Sequence, residues 1–178
     1  MKCEDAFYYK NLLLLGFSDG YDERLDSCLE KESPLSDVVL DLSLCGSDRK
    51  KTISVLHNYC IRQNFDEISS HNKLRLFFKE AYHSNRMSKE ETVSMMYRLS
   101  VNIGIQANSD VSDVWGSMYV LSDYYCLAKD GIISWEGFDH AFFAYLDHGT
   151  PVDFDLIRLN SSDEKTKLIH RIKKMLRK

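Results

Sequence analysis

Residues 126–142, CLAKDGIISWEGFDHAF, contain an Asp-Gly turn between two stretches in which apolar residues recur at helical spacing. Two structures fit this layout: a calcium-binding helix-loop-helix, or a plain corner between two helices. A calcium loop needs oxygen ligands at positions 1, 3 and 5, glycine at position 6 and glutamate at position 12. With Gly131 at position 6, Asp130 falls at position 5, but Glu136 comes one residue early. Positions 1, 3 and 12 become Cys126, Ala128 and Gly137, so the stretch predicts a helical corner without a metal.

Helical spacing continues on both sides of this corner along almost the whole chain, and the sequence has only eight glycines and two prolines. The pattern predicts an all-α protein, a single compact bundle of antiparallel helical hairpins with about 8 to 10 helices. No linker interrupts it, so we expect one helical domain over residues 1–178. Helices are predicted at about 4–16, 21–31, 34–45, 49–63, 65–82, 89–103 and 134–146, with another that passes through Trp115 and ends before Asp130.

Several helix boundaries follow from local signals. Ser88 and Glu91 form a capping-box pattern for the helix that runs to Ile103, and Ser109 or Ser112 is a candidate cap for the next one. The segment SPLSDVVLDLSLCG, residues 33–46, also fits a period-two strand. We favour a helix with Pro34 in its first turn, because its apolar residues share one helical face. The inward residues would be Leu35, Val38, Val39, Leu42 and Cys45. The polar run SSHN, residues 69–72, could break the fifth helix.

Composition restricts the class of protein. With 44% apolar residues, a chain of 178 residues can bury about 70% of its unfolded surface. No run of about 18 apolar residues occurs and no signal-peptide pattern begins the chain, so we expect neither a membrane span nor secretion. Five widely spaced cysteines without a Cys-x-x-Cys motif fit neither a disulfide framework nor a zinc site. We expect buried thiols and a reducing cytoplasm as the location.

The charges are arranged in blocks of alternating sign. Residues 1–48 contain four basic and eleven acidic residues, a net charge of −7, and residues 49–107 contain ten and five, a net charge of +5. Residues 108–163 contain two and ten, a net charge of −8, and residues 164–178 contain seven and one, a net charge of +6. Such a surface could bind a basic partner, or it could neutralise part of its own charge on folding.

No catalytic motif stands out in the sequence. The six histidines lack the helical zinc-ligand pattern, and neither a nucleophile elbow nor a phosphate-binding glycine loop is present. Asp22 and Asp26, and likewise Asp19 and Glu23, are carboxylate pairs four residues apart on a predicted helix. Nothing in their surroundings would bury them, so we interpret them as a solvated acidic face and predict that the protein is not an enzyme.

The last segment, DEKTKLIHRIKKMLRK, predicts a basic amphipathic helix. Membrane or nucleic-acid contact would suit such a helix. Its apolar stripe lacks aromatic residues, however, and residues 1–163 have a net charge of −10. We therefore expect this helix to dock on its own domain.

Three segments, LLLLGFSDGYDERL, SPLSDVVLDLSL and DVWGSMYVLSDYYCLAKDGI, resemble segments of small, mostly helical bacterial immunity proteins encoded beside polymorphic toxins, including those of contact-dependent growth inhibition. The resemblance implies no catalysis, no metal and no cofactor. It implies tight binding to one cognate toxin, often a nuclease or another nucleic-acid-directed enzyme. The matching positions are Leu15, Gly16, Asp19, Gly20, Pro34, Asp41, Leu42, Ser43, Trp115, Leu121, Asp123, Asp130 and Gly131.

The charge layout agrees with such a partner, because an acidic helical face can occupy a basic nuclease surface in place of phosphates. Aromatic residues beside carboxylates would supply buried anchors with a charged rim. The predicted toxin-binding residues are Asp19, Tyr21, Asp22 and Asp26 in the first acidic block and Asp110, Asp113, Trp115 and Asp123 in the second.

The sequence therefore favours an immunity protein whose partner is a toxin with a basic surface. The alternative is a helical adaptor or regulator that binds nucleic acid or a protein through its basic segments, and an enzyme ranks third. We expect no membrane partner, and we rank nucleic acid and small molecules below a protein partner.

Overall fold

The computed structural model describes residues 1–63, 66–104 and 113–152. This part of the chain contains eight α-helices and no β-strand, which confirms the all-α class and agrees with the predicted number of helices. In chain order the helices are α1 Cys3–Leu15, α2 Tyr21–Lys31, α3 Asp37–Ser43, α4 Arg49–Cys60, α5 Glu67–His83, α6 Lys89–Ile103, α7 Asp113–Lys129 and α8 Trp135–His148.

Two compact units divide the chain, one over Met1–Phe77 and one over Phe78–Lys178, which we call unit 1 and unit 2. The boundary falls inside α5, between Phe77 and Phe78. A single domain over the whole chain therefore stays a prediction. The predicted C-terminal helix and the candidate caps Ser109 and Ser112 lie outside the described residues.

Both ends of α6 follow local sequence signals. The Glu91 amide donates to the Ser88 hydroxyl oxygen over 3.2 Å and the Ser88 amide donates to the Glu91 carboxylate over 2.8 Å, so the predicted capping box is confirmed. At the other end of α6, Gly104 adopts a φ of 90°, a left-handed conformation that glycine accepts without a steric penalty. Both ends of this helix were therefore predictable.

The Asp-Gly corner joins α7 to α8 in unit 2. Gly131 has a φ of 69°, and the Ile132 amide donates to the Leu127 carbonyl over 2.8 Å, which closes the end of α7. The Ser134 hydroxyl then accepts from the Gly137 amide over 3.1 Å and caps α8. These bonds confirm a plain helical corner.

Residues 37–43 form a helix, as favoured over a strand. Val38, Val39 and Leu42 are buried, whereas Leu40 is exposed, so the burial does not alternate. The helix starts at Asp37 after Ser36, so the prediction that Pro34 lies in its first turn is wrong. Ser36 is extended, with a φ of −73° and a ψ of 150°, and occupies the N-cap position, so Pro34 lies outside the helix.

Three other expectations need correction. Helix α5 runs without a break through residues 69–72, because Ser70 and His71 are buried within it and the polar run is thus part of a packed helix. Helix α4 was predicted to reach residue 63 but ends at Cys60, and Ile61 just beyond it is exposed. Four cysteines are buried and all five are free, but Cys126 is exposed because it lies on the outer side of α7.

Ion pairs and aromatic contacts hold each unit together. In unit 1, helix α1 packs on α4, and α3 packs on both α2 and α4. In unit 2, α7 packs on α6 and α8, and Phe138 stacks on Phe142 with ring centroids 5.7 Å apart. Within the described residues, no helix combines the length and the apolar character that crossing a bilayer requires.

Candidate protein-binding surface

The outer side of α2 carries carboxylates. Asp22 and Asp26 lie one helical turn apart and are both exposed, and Asp19 is exposed in the turn before the helix. On the opposite side, Tyr21 and Cys28 are buried against the rest of unit 1. Because the inner residues fix the rotation of α2, the acidic side chains are directed into solvent.

Several carboxylates elsewhere are neutralised by neighbours. Asp5 in α1 lies 2.6 Å from Arg24 and 2.7 Å from Lys73. In unit 2, Asp139 lies 2.6 Å from Lys89, and Asp147 lies 3.2 Å from Lys79. Asp147 also lies 2.9 Å from His83.

Glu32, just after α2, binds the N-terminal ammonium group and the hydroxyl of Ser36. Hydrogen bonds from the terminal ammonium and from Ser36 lower the pKa of Glu32 to about 2. By contrast, Asp22 and Asp26 form no ion pair with any described residue. Their negative charge is thus exposed to solvent on the outer side of α2.

Helix α3 packs beside α2 and extends this surface. Asp37, Leu40, Asp41 and Leu44 follow each other at spacings of three, one and three residues, so they share one side of the helix, and all four are exposed. Sequence reasoning did not include Leu40 and Leu44 in the site. The signal was present, because these two leucines fall outside the apolar stripe formed by Val38, Val39 and Leu42. We call the outer sides of α2 and α3 together the α2–α3 surface.

Tyr21 does not offer its ring to a partner. Only 6% of the residue is exposed, and its ring meets that of Tyr9 edge to face with centroids 5.7 Å apart. Burial raises the pKa of Tyr21 to about 12. Its role is to attach the first turn of α2 to α1, and the exposed carboxylates are the part of the first predicted set that a partner could reach.

Of the second predicted set, the structure describes the side chains of Trp115 and Asp123, and these two do not share a surface. Trp115 is only 3% exposed and belongs to the core of unit 2. Asp123 is exposed on α7, where partial burial raises its pKa, and it lies eight residues further along the helix, about 12 Å from Trp115 along the axis. Asp110 and the side chain of Asp113 lie outside the described part of the chain.

Among the residues that the structure describes, no group of three or more histidine, cysteine or acidic side chains could hold a metal ion. Burial raises the pKa of Cys3, and it raises the pKa of Cys60 to about 12, so both thiols stay protonated at neutral pH. The exposed carboxylates of Asp22, Asp26, Asp37 and Asp41 give the α2–α3 surface a negative potential.

Comparisons with protein-family models, with curated proteins and with solved structures found no match for this chain. Its function is therefore inferred from its own residues, charges and contacts. Among the described residues, the α2–α3 surface of unit 1 gives the most direct support for a function.

Proposed function

We propose that this chain is an immunity protein that binds and neutralises a cognate bacterial toxin with a basic surface, such as a nuclease. The observation that carries the proposal is the pair Asp22 and Asp26, exposed on α2 and without an ion pair in the described part of the chain. A nuclease guides its nucleic acid with basic side chains, and carboxylates can bind that surface in place of phosphates. The resemblance of the sequence to immunity proteins supports the same conclusion.

Four basic residues of the described part favour this proposal over an adaptor that binds nucleic acid. Lys73, Lys79 and Lys89 each form an ion pair with an aspartate of their own unit. The Arg49 guanidinium donates to the Leu13 carbonyl over 2.8 Å. These cations are already engaged, which lowers the positive potential that phosphates would meet. All five cysteines are free, which is in keeping with a cytoplasmic location.

The proposal is tested with the protein encoded by the neighbouring open reading frame. Co-expression should restore growth to cells that produce that protein, and the two chains should co-purify. At low salt, the double variant Asp22→Lys and Asp26→Lys should associate with it at least about tenfold more slowly than the wild type, because electrostatic steering is lost. The difference should shrink as salt screens the charges.

A matched control changes the net charge equally at a different place. Asp130 and Glu136 are exposed in unit 2, so the variant Asp130→Lys and Glu136→Lys should retain most of the association rate. If Asp22→Lys with Asp26→Lys associates as fast as the wild type at low salt, this surface is not the binding site. Absence of both growth rescue and co-purification argues against the immunity function itself.

A further inference from the structure

The outer side of α3 has an unusual combination of side chains. Leu40 is 43% exposed and Leu44 is 74% exposed, one helical turn apart, with Asp37 and Asp41 on the same side. Helix α3 is only seven residues long, and Val38, Val39 and Leu42 already form its buried side. The two outer leucines are therefore not needed to hold α3 in place.

Single exposed leucines are common on protein surfaces and do not by themselves indicate a binding site. Here two of them lie one helical turn apart and share a side of α3 with Asp37 and Asp41, so apolar side chains stand beside carboxylates, as in a binding site with an apolar centre and a charged rim. We call this pair the Leu40–Leu44 ridge. Near the end of the ridge, the Lys51 ammonium donates to the Leu44 carbonyl over 3.2 Å. That hydrogen bond ties Lys51 to the backbone and leaves the leucine side chains uncovered.

We propose that the Leu40–Leu44 ridge binds an apolar segment of a protein partner that has lysine or arginine on both sides, such as a basic amphipathic helix. This inference rests on the proposed function and names the part of the toxin surface that α3 would meet. Apolar side chains of the partner would cover Leu40 and Leu44. Its cations would lie beside Asp37 and Asp41 and beside the carboxylates of α2.

Charge complementarity selects this occupant over two others. A symmetric dimer through α3 would bring four carboxylates, Asp37 and Asp41 of each copy, into one interface, and like charges at close range repel. An anionic membrane would repel the same carboxylates. A basic protein segment satisfies both the apolar and the charged part of the surface.

The two helices then have different effects on binding kinetics. The carboxylates of α2 act over a distance and raise the rate of association, whereas the leucines act only after contact and slow dissociation. Removing the leucines should therefore change the dissociation rate and leave the association rate close to that of the wild type.

The direct probe is a synthetic helical peptide with leucines on one side and lysines on the other, compared with a scrambled peptide of the same composition. Binding to the full-length protein is followed by fluorescence anisotropy. The wild type should prefer the amphipathic peptide, and Leu40→Ser with Leu44→Ser should weaken its binding by about tenfold or more. The scrambled peptide should bind both proteins alike.

A matched control removes two exposed apolar side chains elsewhere in unit 1. Ile68 is 64% exposed and Leu76 is 51% exposed on α5, so Ile68→Ser with Leu76→Ser tests for a general loss of surface hydrophobicity. This control should leave peptide binding unchanged. A second variant, Asp37→Asn with Asp41→Asn, keeps the leucines and should reduce the salt dependence of binding. Circular dichroism checks that each variant keeps its helices.

The inference is overturned if Leu40→Ser with Leu44→Ser binds the amphipathic peptide as the wild type does, or if the α5 control weakens binding equally. Leucine-dependent dimerisation in sedimentation experiments would also overturn it in favour of a second copy. If Asp22→Lys with Asp26→Lys slows toxin association while the leucine variant dissociates at the wild-type rate, the proposed function stands and this inference fails. If the peptide result holds but no toxin is neutralised, the proposed function fails and the binding ridge stands.

Discussion

Asp5 connects three helices of unit 1 through one carboxylate. It lies in α1 and accepts hydrogen bonds from Arg24 in α2 over 2.6 Å and from Lys73 in α5 over 2.7 Å. Burial disfavours its charged form, but the hydrogen bonds and charges of Lys73 and Arg24 outweigh burial and lower the pKa of Asp5. The carboxylate is thus more stable in its ionised form when the chain is folded.

This pKa shift predicts how stability depends on pH. A lowered folded pKa stabilises the protein fully above the unfolded value, near 3.8, and the contribution is lost as the pH falls through the folded value. Asp5→Asn should therefore reduce the free energy of unfolding by about 1–2 kcal/mol at neutral pH, since both cations are partly exposed. In urea unfolding, the difference in free energy between Asp5→Asn and the wild type should shrink as the pH falls below the unfolded pKa. Asp26→Asn, at an exposed position without an ion pair in the described part, should show little change at neutral pH.

Individual residues differ in how far the sequence predicted them. Ser88 and Glu91 were predictable as a capping box because the motif is local and its partners lie three residues apart. Tyr21 and Trp115 were predicted as partner contacts, but both are buried. The sequence showed that each lies beside carboxylates and did not show which side of the helix faces the core, because that depends on residues distant in the chain.

At the scale of elements, α3 shows where sequence reasoning succeeded and where it stopped. The shared helical face correctly favoured a helix, and the same pattern left Leu40 and Leu44 without an assignment. The start of α3 was wrong, and the possibility of a break in α5 remained open, because local propensity was weighed without the packing around each segment. Ser70 and His71 are buried within α5, where their residue types alone suggested a loop.

A pair of substitutions in α3 tests its burial pattern. Leu42 is 1% exposed, so Leu42→Ala should reduce the free energy of unfolding by about 2–5 kcal/mol by leaving a cavity. Leu40→Ala should change it by less than about 0.5 kcal/mol, because that side chain already contacts water. Denaturant unfolding measures both variants. Equal losses for the two would point to a strand, in which positions 40 and 42 share one face.

At the scale of the whole molecule, the predicted alternation of charge is only partly neutralised in the described residues. Lysines of the basic block meet aspartates within their own unit, while Asp22 and Asp26 on α2 meet none. The net charge of each block could be counted from the sequence. The sequence could not show which carboxylates form ion pairs, because partners such as Asp5 and Lys73 are 68 residues apart.

The two units carry different natural probes, which makes their cooperativity measurable. All four buried cysteines belong to unit 1, and both tryptophans, Trp115 and Trp135, belong to unit 2. We expect thiol labelling and tryptophan fluorescence to report unfolding at the same urea concentration, because α5 runs through the boundary and is shared. Cys126 is exposed and should react before unfolding. Two separate transitions would show that the single-domain prediction is wrong.

The bond between Arg49 and the Leu13 carbonyl joins residues 36 positions apart. The last turn of α1 has no basic residue of its own, so α4 supplies the cation that this helix end favours. The segment between α1 and α4 can therefore lose or gain residues in the course of evolution only if the start of α4 remains beside the end of α1. Lysine at position 49 would keep the charge but not the two-pronged geometry of the guanidinium group.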